Sequence, residues 1–154
     1  MNARWLASQG YDVHAIDISK EAITQASEVS QGEDLICFEA RGFMTDPMIR
    51  KFDVVFDKGC MHSFSDQESY ERFAFAVANH LHDGGVWISV SSNSDNPESL
   101  DDRKQYQYPR MSLRDIAFSV EPHFEILEIK RGVFGKKNDF LSWLGVYQKR
   151  SFHY

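Results

Sequence analysis

Residues 52–60, FDVVFDKGC, decide the fold of this chain. Residues 52–56 form a short apolar run with two valines, and such runs are typical of a strand buried in a parallel sheet. Asp57 and Lys58 follow directly, and charge placed after a buried strand is costly unless it is paired or faces a cleft. Gly59 then allows a sharp turn or a close approach to a ligand. We therefore predict that a ligand site opens at Asp57-Lys58-Gly59.

The residues before this strand indicate that helices and strands alternate. The predicted elements are a helix over 2–9 that ends at Gly10, a strand over 12–17, a helix from Ser19 to about residue 29, and a strand over 35–40. The last of these is apolar enough to be buried on both faces. Cys37 and Trp5 are accordingly predicted to lie in the core, as are Trp87 and Trp143.

The residues after it continue the pattern. The predicted elements are a helix over 66–82 that ends at 83–85, a strand over 86–90, a helix from Ser112 to about residue 120, and strands over 124–130 and 140–149 joined by a turn at 135–138. The last two strands are predicted to pair antiparallel at the edge of the sheet. The whole pattern predicts an α/β fold with a mostly parallel sheet, in one domain over 1–154.

Composition limits the classes of partner. The chain has 154 residues, 42% of them hydrophobic and 26% charged, with a net charge of −6. Because no basic face is evident, nucleic acid and anionic membranes are not expected as partners. No apolar run approaches the roughly 20 residues that cross a membrane. With only Cys37 and Cys60 for thiols, no disulfide framework is indicated, and a reducing cytoplasm is the expected compartment.

Three strand ends carry candidate ligand-binding residues, because ligands of open parallel sheets sit outside the carboxyl ends of strands. Asp17 can accept hydrogen bonds from both hydroxyls of a ribose while Ile18 covers the base, although Asp17 can equally just precede a helix cap. His62 can serve as a base or donor near neutral pH, or it can cap the helix that follows. The polar tip Ser91-Ser92-Asn93 is predicted to line the same cleft.

Other chemistries receive no support from the sequence. His80 and His82 are two apart on a predicted helix, so they face different directions and cannot form a metal pair. No metal-ligand spacing and no serine nucleophile elbow occur, so no metal is expected.

The segments YDVHAIDIS, FDVVFDKGCMHSF, LHDGGVWISV and FLSWLGVYQKR resemble, in order, the motifs of class I S-adenosylmethionine-dependent methyltransferases. The variety that the chain resembles is that of the thiopurine and tellurite-resistance methyltransferases, in which the fourth strand ends in Asp-Arg-Gly or a near equivalent. The resemblance extends over nearly the whole chain. It implies a Rossmann-like sheet with a C-terminal antiparallel strand pair and S-adenosylmethionine as the cofactor.

The resemblance also implies roles for single residues. Asp17 would bind the cofactor ribose, Ile18 would pack on the adenine, and Phe43 would flank it. Asp57, Lys58 and Gly59 would border the methionine part and the methyl donor. Met61, His62 and residues 106–110 would lie toward a small-molecule methyl acceptor, with His62 and Asp57 as the catalytic candidates.

Two departures from the family pattern bear on activity. The family begins with a strand and a glycine-rich loop, which hold the methionine part of the cofactor through close backbone approach, and this sequence contains neither. Gly42 stands where relatives often carry an acidic residue, with Asp46 nearby. The first departure fits a shortened form of an active enzyme, a fragment in which 12–17 pairs with 52–56, or an exchange of elements with a second copy. We expect rearrangement or a homodimer.

Three hypotheses about function remain from the sequence. The first is an S-adenosylmethionine-dependent methyltransferase acting on a thiol, amine or chalcogen in a small molecule, and the absent glycine-rich loop counts against activity in this shortened form. The second is a non-catalytic member of the same fold that binds or interacts. A nicotinamide-dependent oxidoreductase also uses an acidic strand end on a ribose, but it explains neither Asp57-Lys58-Gly59 nor the closing strand pair.

Overall fold

The structure, a computed structural model, describes residues 2–95, 110–134 and 140–151 of the chain. By its internal contacts the chain divides into two compact units, Met1–Pro47 and Met48–Tyr154. Each unit has its own sheet. Within the part of the chain that the structure describes, no helix has the length and apolar character needed to cross a membrane.

The first unit is small and consists of two helix–strand repeats. Its elements are α1 (Asn2–Ser8), β1 (Val13–Asp17), α2 (Lys20–Glu28) and β2 (Ile36–Ala40). The two strands pair in parallel, from Val13 opposite Ile36 to Asp17 opposite Ala40. Their carboxyl ends therefore lie side by side.

Local sequence explains where these helices begin and end. Gly10 has φ of 89° just after α1, a conformation that residues with a Cβ avoid. The Ser19 hydroxyl accepts a hydrogen bond from Ala22 N at 3.1 Å, which caps α2. The predicted helices and strands of this unit are thus confirmed to within about two residues at each end.

The predicted burial in this unit is wrong. β2 is only partly buried, and Cys37 and Trp5 are exposed rather than in the core. Among the described residues of this unit, Ala7 is the one hydrophobic side chain that is buried. The reason is geometric, since a two-stranded sheet has too little area to enclose a core of its own.

The second unit contains a four-stranded sheet and two main helices. Its elements are β3 (Phe52–Lys58), a short 3₁₀ helix (Met61–Ser63), α3 (Gln67–His80), β4 (Leu81–Ser92), α4 (Leu113–Val120), β5 (Phe124–Phe134) and β6 (Phe140–Lys149). The strand order is β3-β4-β6-β5. β3 is parallel to β4, whereas β6 is antiparallel to both β4 and β5.

The single, mostly parallel sheet predicted from the sequence is found as two sheets with mixed pairing, and the predicted antiparallel pair of β5 and β6 is confirmed. β4 begins at Leu81 rather than at residue 86, because Leu81 already pairs with Phe52 of β3. α3 therefore ends two residues earlier than predicted. The predicted turn at 135–138 lies outside the described residues.

Aromatic side chains form the core of the second unit. The ring of Trp87 on β4 lies 5.9 Å from Phe73 of α3, 5.4 Å from Phe124 of β5 and 5.1 Å from Tyr147 of β6, measured between ring centroids. Trp87 and Trp143 are buried, as predicted. By contrast, Val54 and Phe56 of β3 are exposed, which contradicts the prediction that residues 52–56 form a buried strand. β3 is the terminal strand in the order of its sheet, so neighbouring strands protect it less.

Candidate functional site

Asp57 stands at the end of β3 with its carboxylate turned into the protein. The residue is 5% exposed. Its Oδ2 accepts a hydrogen bond from Trp87 Nε1 at 2.8 Å. Its Oδ1 accepts from Cys60 N at 3.2 Å and, more weakly, from Met61 N at 3.5 Å. The carboxylate thus ties the turn that follows β3 to the aromatic core.

The surroundings of Asp57 act on its pKa in opposite directions. Burial raises the pKa of the Asp57 carboxyl above its ordinary range, while the donors from Trp87, Met61 and Cys60 oppose that rise. The Ser89 hydroxyl is buried beside the carboxylate and also lowers its pKa, although it makes no hydrogen bond of good geometry. Burial, together with the nearby Asp57, also raises the pKa of Tyr147. The net result is a carboxyl group enclosed by protein donors.

Trp87 is the partner that sequence reasoning missed. The sequence predicts only that Trp87 lies in the core, and it indicates no hydrogen-bond partner for the indole N–H. Asp57 and Trp87 are separated by 30 residues and meet because β3 and β4 pair in parallel, with Val55 opposite Trp87 and Asp57 opposite Ser89. A register argument could have found the pair, since a buried indole N–H requires an acceptor.

Lys58 and Gly59 complete this strand end. Lys58 is exposed. Gly59 has φ of 93°, and its N–H donates to Val90 O at 2.9 Å. A Cβ built at Gly59 would lie 3.3 Å from Cε1 of His62. Gly59 therefore provides both the left-handed turn and the close packing on the His62 ring.

His62 links the turn after β3 to the tip of β4. The residue is buried, and its Nδ1 accepts a hydrogen bond from Ser92 N at 2.8 Å. Since a backbone N–H donates to Nδ1, the neutral ring carries its proton on Nε2. Burial also lowers the pKa of His62, which favours the neutral form. The side chain therefore joins two strand ends rather than capping the helix that follows.

The tip of β4 is also enclosed. Ser91, Ser92 and Asn93 are buried. Their burial does not fit the prediction that they line an open cleft. Asn93 forms a parallel bridge with Met111, whose carbonyl oxygen accepts from Trp143 Nε1 at 3.0 Å. Of the segment predicted to face an acceptor, residues 106–109 lie outside the described residues. Arg110 is partly buried.

The first unit brings its predicted residues together at the carboxyl ends of β1 and β2. Asp17 is exposed, and its Oδ1 accepts from Ser19 N at 2.9 Å, so the helix-start role considered from the sequence is present. Ile18 is 82% exposed. The carbonyl oxygen of Asp17 accepts from Arg41 N at 2.9 Å, which sets the start of the next loop beside it.

That loop, residues 41–47, carries Phe43. The carbonyl oxygen of Gly42 accepts from Thr45 N at 3.2 Å and from Asp46 N at 2.8 Å, so the loop folds back in a tight turn. Phe43 is partly buried on this turn. Asp46, considered above as a substitute for the missing acidic residue, lies with its Oδ1 3.2 Å from Arg41 NH1. Asp17-Ile18 and the loop that carries Phe43 thus adjoin in one unit.

No group of three or more His, Cys, Asp or Glu side chains suited to a metal ion occurs within residues 2–95, 110–134 and 140–151. The arrangement in the first unit suits a ligand with hydroxyl groups and an apolar ring, since it offers an exposed carboxylate next to an exposed aliphatic side chain. The arrangement in the second unit suits a rigid support, since Asp57 and His62 face protein partners.

Comparison with protein families gives a match over most of the chain. Residues 3–143 match a family model described as a methyltransferase domain. Two proteins of Schizosaccharomyces pombe, both described as uncharacterized methyltransferases, are 44% identical over 96 residues, which are 60% of this chain and 66% of each relative. The chain therefore spans just under two thirds of the length of these relatives.

Solved structures share the fold. An S-adenosylmethionine-dependent methyltransferase from Methanosarcina mazei aligns with a TM-score of 0.80 at 19% identity, over 97% of this chain and 87% of that one. A 1,6-didemethyltoxoflavin N1-methyltransferase from Burkholderia thailandensis, with bound 1,6-didemethyltoxoflavin and S-adenosylhomocysteine, aligns with a TM-score of 0.73 at 19% identity, over 96% of this chain and 65% of that one. At such identities the likeness shows the fold alone.

Proposed function

Since this chain belongs to the methyltransferase-domain family, we propose that it is an S-adenosylmethionine-dependent methyltransferase that acts on a small molecule. The observation that supports this most directly is the grouping of Asp17, Ile18 and the Phe43 loop at the adjoining ends of β1 and β2. An exposed carboxylate beside an exposed aliphatic side chain is what a nucleoside needs for its ribose and its base.

We assign the adenosine part of the cofactor to the first unit. In the proposal, the Asp17 carboxylate accepts hydrogen bonds from the ribose hydroxyls, while Ile18 and Phe43 pack on the adenine. The 82% exposure of Ile18 supports this, because burial of an aliphatic side chain against a base stabilises the complex by about 25 cal/mol per Å² of apolar area covered. Asp17 also keeps its hydrogen bond to Ser19 N, which holds the carboxylate in place.

In the second unit, taken by itself, we propose from the resemblance that Lys58 and Gly59 border a methionine group, and that Asp57 and His62 act by holding this strand end in place. When bound, S-adenosylmethionine would supply its sulfonium methyl group to a lone pair of the acceptor, leaving S-adenosylhomocysteine and, from a thiol or amine acceptor, a proton. Orientation and desolvation supply much of the acceleration of such transfers, so a dedicated base is not required. Asp57 holds the turn through Cys60 N, and His62 holds the tip of β4 through Ser92 N.

The acceptor is proposed to be a thiol, amine or chalcogen compound, and the compartment the cytoplasm. The net charge of −6 supports a neutral or cationic acceptor rather than a polyanion. We also propose a homodimer. In its support, the terminal strand β3 exposes Val54 and Phe56, and exposed apolar side chains on a terminal strand favour association. Light scattering after size exclusion tests this, and a monomer at high concentration would contradict it.

A non-catalytic binding module of the same fold is the second candidate. Two observations favour it. Both predicted catalytic residues, Asp57 and His62, are buried. Asp57 Oδ2 and His62 Nδ1 accept hydrogen bonds from Trp87 Nε1 and Ser92 N. On this alternative the first unit still binds the nucleoside, but no methyl group is transferred.

Isothermal titration calorimetry of the full chain with S-adenosylhomocysteine tests the cofactor, and thermal unfolding with and without the ligand is the second readout. Ligand at about 100 times its Kd should stabilise the protein by about 2.7 kcal/mol. The absence of both heat and a thermal shift at millimolar ligand would overturn the proposal. Binding without turnover of S-adenosylmethionine across a panel of small thiols, amines and neutral chalcogen compounds would instead support the binding module.

A further inference from the structure

Arg41 makes several polar contacts within the first unit, and the proposed function does not yet use it. It follows β2 directly and is 21% exposed. Its Nε and NH2 donate to Glu39 Oε1 at 2.9 and 2.7 Å. Its NH1 donates to the carbonyl oxygens of Asp46 at 3.0 Å and Pro47 at 3.4 Å. One guanidinium thus joins the end of β2 to the far end of the 41–47 loop.

Glu39 is held from its other side as well. Its Oε2 lies 2.9 Å from Nε2 of His14, a residue of the neighbouring strand β1. The hydrogen bonds from Arg41 and then from His14 lower the pKa of Glu39, so the carboxylate is ionised at neutral pH. Both oxygens of Glu39 therefore have partners, and its orientation on the sheet is defined from two directions.

The position of this cluster decides what it can do. Backbone N–H of Arg41 donates to the Asp17 carbonyl oxygen at 2.9 Å, so the loop that Arg41 fastens begins directly beside Asp17. The 42–46 loop, which is the part of the 41–47 loop between Arg41 and Pro47, carries Phe43. A planar guanidinium presents its donors from three nitrogens in a fixed fork, so it can hold a carboxylate and two carbonyl groups at once. A lysine ammonium presents its three donors from one nitrogen and lacks that fork.

We propose that Arg41 is a positioning residue for the nucleoside site, which through Glu39 and His14 holds the 42–46 loop, and with it Phe43, next to Asp17. Arg41 does not touch the ligand in this proposal. It orders the loop before binding, so that the entropy of ordering is not lost when the ligand binds. The proposal rests on the proposed function for its ligand, but its structural half concerns the ligand-free chain.

The variants are chosen to separate this role from general destabilisation. Arg41→Gln removes the fork, and Arg41→Lys keeps the charge but not the geometry. Arg4→Gln is the matched control, because Arg4 lies in the same unit and pairs with Glu33 at 3.8 Å through exposed side chains. Glu39→Ala removes the support through which Arg41 acts, and the double variant tests whether the two residues work as one unit.

The first measurement is amide hydrogen exchange in the ligand-free protein. Thr45 N and Asp46 N donate to Gly42 O, so their exchange reports the closed loop. We expect Arg41→Gln and Arg41→Lys to speed exchange at these two amides at least tenfold, while the helix amides of α2 and all amides in Arg4→Gln keep their rates. Unchanged exchange at Thr45 and Asp46 in Arg41→Gln would overturn the proposal.

The second measurement is calorimetric affinity for S-adenosylhomocysteine and for 5′-methylthioadenosine, which lacks the amino acid part. We expect Arg41→Gln to weaken both ligands by the same factor, about 5- to 20-fold, with Arg41→Lys giving no rescue and the double variant no worse than the single ones. Equal affinities in Arg41→Gln and wild type would overturn the proposal. If wild type itself binds neither ligand at millimolar concentration, the proposed function fails, and the ligand half of this inference fails with it, whatever the exchange shows.

Discussion

Asp17 and Asp57 stand at equivalent places, each at or near the carboxyl end of a strand in a parallel pair, yet their surroundings are opposite. Asp17 ends β1 in the small unit and is exposed, and its Oδ1 accepts a hydrogen bond from the backbone N–H of Ser19, which caps the next helix. Asp57 lies near the end of β3 in the large unit, is 5% exposed, and binds an indole and the amides of its own turn. The same residue type thus serves as a candidate ligand group in one unit and as an internal support in the other.

The difference follows from the sheet that each strand belongs to. A strand of a two-stranded sheet has few neighbours to cover its end, whereas the end of β3 lies against the aromatic core around Trp87. Strand-end position alone is therefore a weak guide to function, and burial decides which carboxylate can reach a ligand. The predictions below test this contrast.

The largest expected effect comes from making the same change at both strand ends. Asp57→Ala should lower the free energy of unfolding by about 3 kcal/mol or more, because it leaves the buried Trp87 Nε1 and Met61 N, and the part-buried Cys60 N, without their acceptor. Asp17→Ala should change it far less, since its carboxylate is exposed. Urea unfolding of the two variants measures the contrast, and equal losses would contradict it.

A double-mutant cycle sharpens the assignment of Asp57 to the core. Trp87→Phe and Asp57→Ala should each destabilise the protein, and the double variant should be less unstable than the sum of the two by about 1.5–3 kcal/mol, the usual contribution of a hydrogen bond to a charged group. The measurement is urea unfolding of all four proteins. A coupling energy near zero would mean that the 2.8 Å contact between indole and carboxylate contributes nothing to stability.

The ligand side of the comparison is tested by affinity. Asp17→Ala should weaken S-adenosylhomocysteine about 10- to 100-fold, because the ribose hydroxyls lose a charged acceptor. Lys20→Ala is a suitable control, since Lys20 is an exposed charged residue in the same unit, at the start of α2. Calorimetry measures both. An Asp17→Ala protein with wild-type affinity would show that the ribose lies elsewhere.

A smaller effect on stability is expected from a matched pair of glycine-to-alanine changes. Gly59 and Gly10 have nearly the same φ, 93° and 89°, but a Cβ at Gly59 would meet the His62 ring whereas a Cβ at Gly10 meets nothing within 4 Å. Both changes to alanine should cost about 1 kcal/mol for the left-handed conformation. Gly59→Ala should cost more, by the displacement of the ring. Thermal unfolding measures the difference, and a smaller loss for Gly59→Ala would mean that the His62 contact is loose.

The smallest expected effects are changes of stability with pH, which have opposite signs for Asp57 and His62. Burial raises the folded-state pKa of Asp57, so its stabilising contribution is complete below the ordinary carboxyl pKa and is lost as pH rises through the raised value. Burial lowers the folded-state pKa of His62. The stabilising contribution of His62 is therefore complete above the ordinary histidine pKa, and it is lost as pH falls through the lowered pKa.

Relative to wild type, Asp57→Asn should therefore gain stability as the pH rises, and His62→Gln should gain stability as the pH falls below about 6.5, the ordinary histidine value. Unfolding free energies at several pH values between 5 and 8 measure both trends. Parallel trends in the two variants would contradict the assignment.

Much of the fold was predictable from local sequence. Ser19, Ser112 and Gly10 mark helix ends because capping and positive φ depend on a few adjacent residues, and the structure confirms each. The methyltransferase family was also correctly indicated, since its motifs are short and occur in order. The start of β4 was predicted wrongly. Leu81 continues the helical spacing of Phe73 and Val77, although it already pairs with β3.

The candidate site was predictable in part. Asp17, Ile18 and Phe43 were named from the sequence, and the structure brings their segments together through the Asp17–Arg41 backbone contact. Their roles, like those of Asp57, Lys58, Gly59 and His62, remain predictions. Arg41 and Trp87 were missed as partners, because a side chain's contacts with distant residues leave no local pattern.

The sequence by itself determined the order of the elements, the turns and the family, since these depend on residues close together in the chain. Only the tertiary structure decided burial, because burial depends on which distant segments cover a side chain. It placed Cys37 and Trp5 at the surface and enclosed Asp57 and His62. The physical reason is that two identical carboxylates differ in free energy by their solvation, and solvation is set by the packed neighbours of each one.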